Sequence, residues 1–181
     1  MPNIFVNNNI FLRKFEDKDV DNIYNLKNDP KTTKFLGGFS IGYSKNDILE
    51  WINSVRNREK DIIWCIADNN DECIGQVGLY DINYRIGNAE IGIAISRDKI
   101  NQGIGTKVHR KVFEFAFNEM NLKKITAIIL TFNKSSISLY EKLEFTKEGE
   151  IRNYQYRQGE YINAYLYGLL KEEWSNSKKY E

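Results

Sequence analysis

One histidine, two cysteines and two prolines are all that this chain of 181 residues contains of those types. With His109 as the sole imidazole, a metal site built on a histidine–cysteine cluster has too few ligands, and none is expected. A thiol nucleophile would likewise have only His109 to activate it, and His109 reads as a surface or semi-buried helix residue. Cys65 and Cys73 are eight residues apart in neighbouring predicted strands. With no sign of secretion they read as buried or half-buried free thiols rather than a disulfide. No stretch approaches the ~18 apolar residues of a membrane span, and Met1-Pro2-Asn3 lacks a basic-then-apolar signal pattern. A cytoplasmic protein with no membrane partner is the expectation. Neither sign of charge is in excess, with 26 Lys and Arg against 25 Asp and Glu. A nucleic-acid binder would show a basic surplus or stripe, so no nucleic-acid partner is expected.

What is present is ample for one packed domain: 41% of residues are hydrophobic and 13% aromatic. Ile10 to Phe15 reads as a first strand. Asp17 is a candidate cap for a helix with the stripe Val20, Ile23, Tyr24 and Leu26, ending before Pro30. Phe35 to Tyr43 is a loop rich in glycine and aromatics. Ser44 caps a second helix that buries Ile48, Leu49, Ile52 and Val55. Strands follow at Ile62–Ala67, Cys73–Ile82 and Ala89–Ser96, and their short turns make them an antiparallel meander. A helix runs from Gly103 to Asn118. The apolar run Ile125–Leu130 suits a strand buried on both faces. Ser135 or Ser136 opens a short helix, and two strands near Thr146–Tyr154 and Tyr161–Leu170 complete the order βααβββαβαββ. Residues 1–170 read as one domain and 171–181 as a frayed polar tail, while Asn7-Asn8-Asn9 reads as a solvated end.

The most informative turn is Gln102-Gly103-Ile104-Gly105-Thr106, between a strand and an amphipathic helix. Glycines let the backbone turn tightly, and the first N–H groups of the helix lack intrahelical partners and sit at its positive dipole end. Lys107, Arg110 and Lys111 add positive charge. The turn is therefore a candidate pyrophosphate cradle. It has neither the Gly-Lys-Ser/Thr of a Walker loop nor the third glycine of a dinucleotide fingerprint.

Thirty residues after Gly103 comes Asn133-Lys134-Ser135-Ser136-Ile137-Ser138-Leu139-Tyr140-Glu141-Lys142-Leu143-Glu144-Phe145. Together with Ala89-Glu90-Ile91-Gly92-Ile93-Ala94-Ile95 and the glycine turn, this run resembles the GNAT superfamily of N-acetyltransferases. Glu148-Gly149, Arg152, and Gly159 through Asn163-Ala164 resemble the branch holding ribosomal-protein-alanine and spermidine N-acetyltransferases. The resemblance implies a single mixed α/β domain, its sheet splayed between the fourth and fifth strands and flanked by helices. It implies acetyl-CoA as co-substrate and no metal. Backbone groups of Ile93, Ala94 and Ile95 would pair with the pantetheine arm, and those of Gln102, Gly103, Ile104, Gly105 and Thr106 would hold the pyrophosphate. Asn133, with Ser136 beside it, would bind the arm, and Tyr140 would sit near the sulfur. A homo-oligomer, a dimer first, is the expected assembly. Three positions depart from the pattern: Ile100 stands for the usual Gln or Arg, Glu144 for a glycine, and Asn163 for an aspartate. The Glu144 exchange predicts a differently shaped turn after the short helix.

The implied chemistry is attack of an amine on a thioester. An alkylamine titrates near ~10 and must lose a proton. Glu90, acting through water, is the candidate base, with a solvated strand glutamate as its plainer reading. Tyr140 is the candidate donor to the leaving thiolate, against a tyrosine at the edge of the core. Phe35, Phe39, Tyr154 and Tyr156 are candidate acceptor contacts, although Tyr154 and Tyr156 could simply pack a hairpin. The loop Phe35–Ser40 carries no acid, which argues against spermidine, while Asp47 and Glu50 just beyond it keep polyamines open. An aromatic loop suits an amino sugar, an amino-sugar nucleotide or a peptide N-terminus. The rival reading is a non-catalytic acyl-CoA-binding regulatory module, against which stand both Tyr140 and Glu90.

Overall fold

The computed structural model describes residues 3–36 and 41–177. Among these the chain forms β1 (Ile4–Asn7), β2 (Ile10–Arg13), α1 (Val20–Asn28), α2 (Pro30–Thr33), α3 (Lys45–Val55), β3 (Ile62–Asp68), β4 (Cys73–Asn83), β5 (Asn88–Ile95), α4 (Ile104–Glu114), β6 (Lys124–Leu130), α5 (Lys134–Lys142), β7 (Thr146–Arg157), β8 (Glu160–Leu170) and α6 (Lys171–Ser177). The strands hydrogen-bond in the order β1-β2-β3-β4-β5-β6-β8-β7, with β5 and β6 parallel. This is the mixed α/β architecture the sequence implies, with β1, α2 and α6 added to the expected order. Two compact units stand out, Met1–Tyr80 with Gly92–Lys111 and Asp81–Ile91 with Val112–Glu181.

In the first unit, Asn7-Asn8-Asn9 is not a solvated end. It turns the β1–β2 hairpin, in which Ile4 faces Leu12 and the Asn9 N–H donates to Asn7 Oδ1 at 2.8 Å. The cap expected at Asp17 falls one residue earlier. Glu16 heads a 3-10 turn over Asp17–Asp19, and its N–H donates to Asp19 Oδ2 at 2.8 Å. Asp19 thereby starts α1 while its carboxylate also takes two bonds from Arg13, at 2.7 and 2.9 Å. Ser44 caps α3 as expected, exchanging bonds with Asp47. Ile48, Ile52 and Val55 pack with Phe15, Ile23, Leu26, Ile63 and Ala94 into one core, each large side chain contributing ~1.5–3 kcal/mol. Leu49 is only half-buried.

Glycines set the closest approaches in this unit. A Cβ on Gly75 would lie 2.4 Å from the Ala94 oxygen and 3.0 Å from Ile95 Cα, so only glycine lets β4 come this near β5. The Tyr80 ring lies across Gly78 and Gly92, where added Cβ atoms would meet it at 2.7 and 3.2 Å.

In the second unit, β5 and β6 pair at Asn88–Lys124, Ala89–Ile125 and Glu90–Thr126. The β7 and β8 strands outrun their expected ends and close through Gln158-Gly159, with φ of 49° and 89°. Two positive φ values in a two-residue loop give the turn whose twist suits a hairpin. The expected helix end at Asn118 is observed as a change of winding: α4 stops at Glu114 and a π-helical turn continues over Phe115–Glu119. The start of the tail is not frayed. It is helical in α6, and Trp174 is 8% exposed with its ring edge-on to Phe113 at 5.6 Å. One large apolar residue suffices to hold a stretch that reads as polar throughout.

Asn133, not Ser135 or Ser136, caps α5; its Oδ1 accepts from Ser136 N at 3.2 Å and Ser135 Oγ at 3.0 Å. The helix ends on Glu144 with φ 65°. Phe145 N–H reaches the Tyr140 carbonyl and Glu144 N–H the Glu141 carbonyl, both at 3.0 Å. That is the Schellman pattern a glycine would normally close. The turn thus keeps its shape, contrary to expectation, and Glu144 bears the left-handed strain.

Candidate functional site

In the first unit, the glycine turn leads directly into α4. Gly103 has φ 73°, and the first helical bond is Lys107 N–H to the Gly103 carbonyl at 3.3 Å. Gly103 therefore holds the cap position, and the N–H groups of Ile104, Gly105 and Thr106 have no acceptor within the helix. A Cβ added to Gly103 would meet nothing within 4 Å. The space in front of this backbone is open, which fits close approach by a phosphate. Gln102 secures the turn from behind, its Nε2 donating to the Asp98 carbonyl at 3.0 Å.

His109 is not at the surface: it is 0% exposed, with Nδ1 2.7 Å from the Gly105 carbonyl. Burial first, against that bond, pushes its pKa down to about 4, so the ring is neutral and Nδ1 donates. Its role is to hold the first turn of α4 from inside. Sequence reasoning missed this; the available signal was its place on the apolar face, beside Val108 and Val112.

Along β5, Ala89 and Ile91 are buried, and then Ala94, so the alternation changes parity at Gly92–Ile93. The strand is irregular where the pantetheine contacts of Ile93, Ala94 and Ile95 are expected, and glycine occupies the change. Ser96 N–H returns to the Ile74 carbonyl at 2.8 Å.

In the second unit, Tyr140 is 4% exposed, packed edge-on to Phe145 at 5.0 Å. Its hydroxyl stands 3.5 Å from the Ile91 carbonyl, long enough to be a weak bond. Asn133 is buried, and its Oδ1 is committed to capping; its Nδ2 has no partner among the described residues. Ser136 is half-buried behind it. Glu90 is half-buried on β5, and burial first, then the Asp81 carboxylate, raises its pKa. Burial and the Glu90 charge together raise Tyr154, which puts that phenol in the field of Glu90. Glu90 and Tyr154 thus share one electrostatic environment. Asp81, with φ 49°, joins them and was not foreseen, although both acids flank the Tyr84–Gly87 turn.

The remaining acceptor candidates divide. Tyr156 is exposed and packs on Tyr161 at 5.0 Å across the hairpin. Phe35 is half-buried under Lys34 at 4.5 Å. Phe39 lies outside the described residues. Asn163 serves structure: Oδ1 accepts from Asn153 N at 2.9 Å and Nδ2 donates to Glu150 at 2.6 Å, bracing the irregular β7. No helix is long and apolar enough to cross a membrane among the described residues.

Comparison with known proteins adds four findings. The family described as "Acetyltransferase (GNAT) domain" matches residues 9–146. An uncharacterized N-acetyltransferase, p20, of Bacillus licheniformis is 31% identical over 91% of this chain and 94% of its own length. The spermidine N(1)-acetyltransferase of Vibrio cholerae is 26% identical over 94% of this chain and 98% of its own. In structure, spermidine N-acetyltransferase from Vibrio cholerae, solved with CoA and spermine, superposes with a TM-score of 0.84 at 24% identity, covering 94% of this chain and 100% of that one. With the family match spanning most of its length and the fold and motifs agreeing, the chain belongs to the GNAT acetyltransferases and is an acetyl-CoA-dependent N-acetyltransferase.

Proposed function

We propose that this enzyme acetylates the primary amine of a small alkylamine, polyamines being the first class to test, with Glu90 as base and Tyr140 as acid. The observation that carries the reading is Glu90: a carboxylate half-buried on β5, its pKa raised by burial and Asp81, suits proton removal from an ammonium group. Glu90 takes the amine proton, directly or through water. The thioester carbonyl is then attacked, the C–S bond breaks, and Tyr140 supplies a hydrogen bond or proton to the thiolate. Backbone groups of Ile93, Ala94 and Ile95 and the amide of Asn133 would seat the pantetheine arm, and residues 102–106 the pyrophosphate.

Polyamines lead because the Vibrio cholerae relative carries spermidine in its name. One observation favours the second reading, an uncharged or anionic amine such as an amino sugar. The carboxylates of α1–α3 are already engaged: Asp21 by Lys45 at 2.7 Å, Asp29 by Lys31 N and Thr32, Asp47 by Ser44 N at 2.7 Å, and Glu50 by Asn46 at 2.8 Å. They are poorly placed to collect a polycation.

A thiol-release assay with acetyl-CoA against spermidine, spermine, amino sugars and short peptides decides between them. Glu90→Gln should lower kcat/KM by about 10²- to 10⁴-fold and remove the acid limb of the pH profile. That limb should lie above the ordinary glutamate range, since the base is lost as pH falls through a raised pKa. Wild-type turnover in Glu90→Gln at every pH would refute the assignment.

A further inference from the structure

We infer that Asp19, Cys65 and Cys73 form a buried binding site for a thiophilic divalent cation, with Zn²⁺ the cation it fits. The carboxylate and the two sulfurs lie within 4.8 Å of one another, all on buried residues. Sequence reasoning counted too few ligands because Asp19 is far along the chain from both cysteines. The fold joins them: Asp19 heads α1, while Cys65 and Cys73 lie on the same face of the antiparallel pair β3–β4, across an irregularity at Ile66–Ala67.

Each ligand has capacity. Asp19 Oδ2 already accepts from Arg13 and Glu16 N, whereas Oδ1 accepts a single bond, from Arg13 at 2.9 Å. A carboxylate oxygen has two lone pairs, so Oδ1 keeps one. Cys73 Sγ is 3.4 Å from the Gly75 carbonyl oxygen, which it meets as a donor while protonated. That spacing is close to the ~3.6 Å edge of a tetrahedron with Zn–S ~2.3 Å and Zn–O ~2.1 Å, which makes the carbonyl a candidate fourth ligand. For the sulfurs and the carboxylate, a tetrahedral edge of ~3.5–3.8 Å requires an inward movement of at most about 1 Å.

Charge decides which cation is tolerated. A buried site must be neutral overall or nearly so. Arg13 cancels Asp19, at 6% and 2% side-chain exposure, and Asp71 is shared with the exposed Lys18. Without a cation, the neighbouring Cys73, then burial, keeps the Cys65 thiol protonated. A dication that displaces both thiol protons is matched by two thiolates and leaves the net charge unchanged. A hard cation that leaves thiols protonated would bury two uncompensated charges. Thiolate softness points the same way.

The test uses the full chain, reduced and freed of metal by chelation. Zinc titration should take up one equivalent with release of about two protons. Cobalt substitution should show a thiolate-to-metal charge-transfer band in the near ultraviolet, and magnesium should do neither. Zinc at a hundredfold excess over its Kd should raise the melting temperature by about 5 °C or more. Cys65→Ala and Cys73→Ala each replace a small buried group by a smaller one, and both should abolish proton release and the cobalt band while circular dichroism stays unchanged. Zinc uptake equal in wild type and both folded variants, or no cobalt band in the wild type, overturns the site. So does a Cys65–Cys73 disulfide found by thiol counting in protein isolated without reductant.

Discussion

Acid should loosen the glycine turn at the head of α4 through one imidazole. His109 is the chain's only histidine, fully buried and neutral, with its pKa pushed down to about 4. In the unfolded chain the same ring titrates near ~6.5. Between those values the unfolded state binds a proton that the folded state excludes, so stability falls as pH falls. The contribution is whole above pH ~6.5 and levels off below the folded pKa. At 1.36 kcal/mol per pH unit, a window of about 2.5 units amounts to about 3 kcal/mol. Against a total of ~5–15 kcal/mol this is a large share. His109→Leu keeps volume and burial but cannot titrate. Urea unfolding followed by tryptophan fluorescence, for both proteins from about pH 7.5 to about pH 4.5, isolates the ring because the carboxylates common to both cancel. Wild type should lose about 3 kcal/mol relative to His109→Leu across that range. A difference that stays constant with pH would refute the buried, neutral imidazole.

Three further outcomes are expected. Glu144→Gly relieves a left-handed residue that already makes both Schellman bonds, and chemical denaturation should show a gain of about 1 kcal/mol. Gly75→Ala drives a Cβ into the Ala94 carbonyl, where only backbone can give way. A loss of about 1–3 kcal/mol should follow, with weaker acetyl-CoA binding by calorimetry if the proposed arm contacts at Ala94 and Ile95 hold. Tyr140→Phe keeps the packing on Phe145 and deletes the donor. With unchanged melting temperature and acetyl-CoA affinity, kcat should fall about 10²-fold or more; full kcat with chemistry rate-limiting would return that proton transfer to solvent.

Much of this was legible because it depends on local rules. The Ser44 cap, the Gln102–Thr106 turn and the antiparallel pairing of β3 with β4 across a short turn each follow from a few adjacent residues. What was not legible is tertiary. Trp174 converts a polar end into a helix because Phe113 awaits it, and no window of the tail shows that. Glu144 adopts a glycine's backbone because the bonds of Glu144 and Phe145 over-determine the turn, overriding residue preference. Asp81 acts on Glu90, and Asp19 approaches Cys65 and Cys73, only once strands are paired. His109 was misplaced for the opposite reason: polarity was weighed above its position on an apolar helix face.

The Tyr80 ring laid over Gly78 and Gly92 has a consequence for how relatives can diverge. A side chain at Gly78 must displace the ring, since its Cβ would stand 2.7 Å away, and one at Gly92, at 3.2 Å, needs the ring to give by a few tenths of an ångström. The ring in turn cannot be lost without leaving two bare stretches of strand with nothing packed on them. The three positions therefore form a single unit of inheritance. Substitution should be correlated, a smaller residue at 80 accompanying alanine or serine at 78 or 92, and intermediates that change one alone should be the unstable ones.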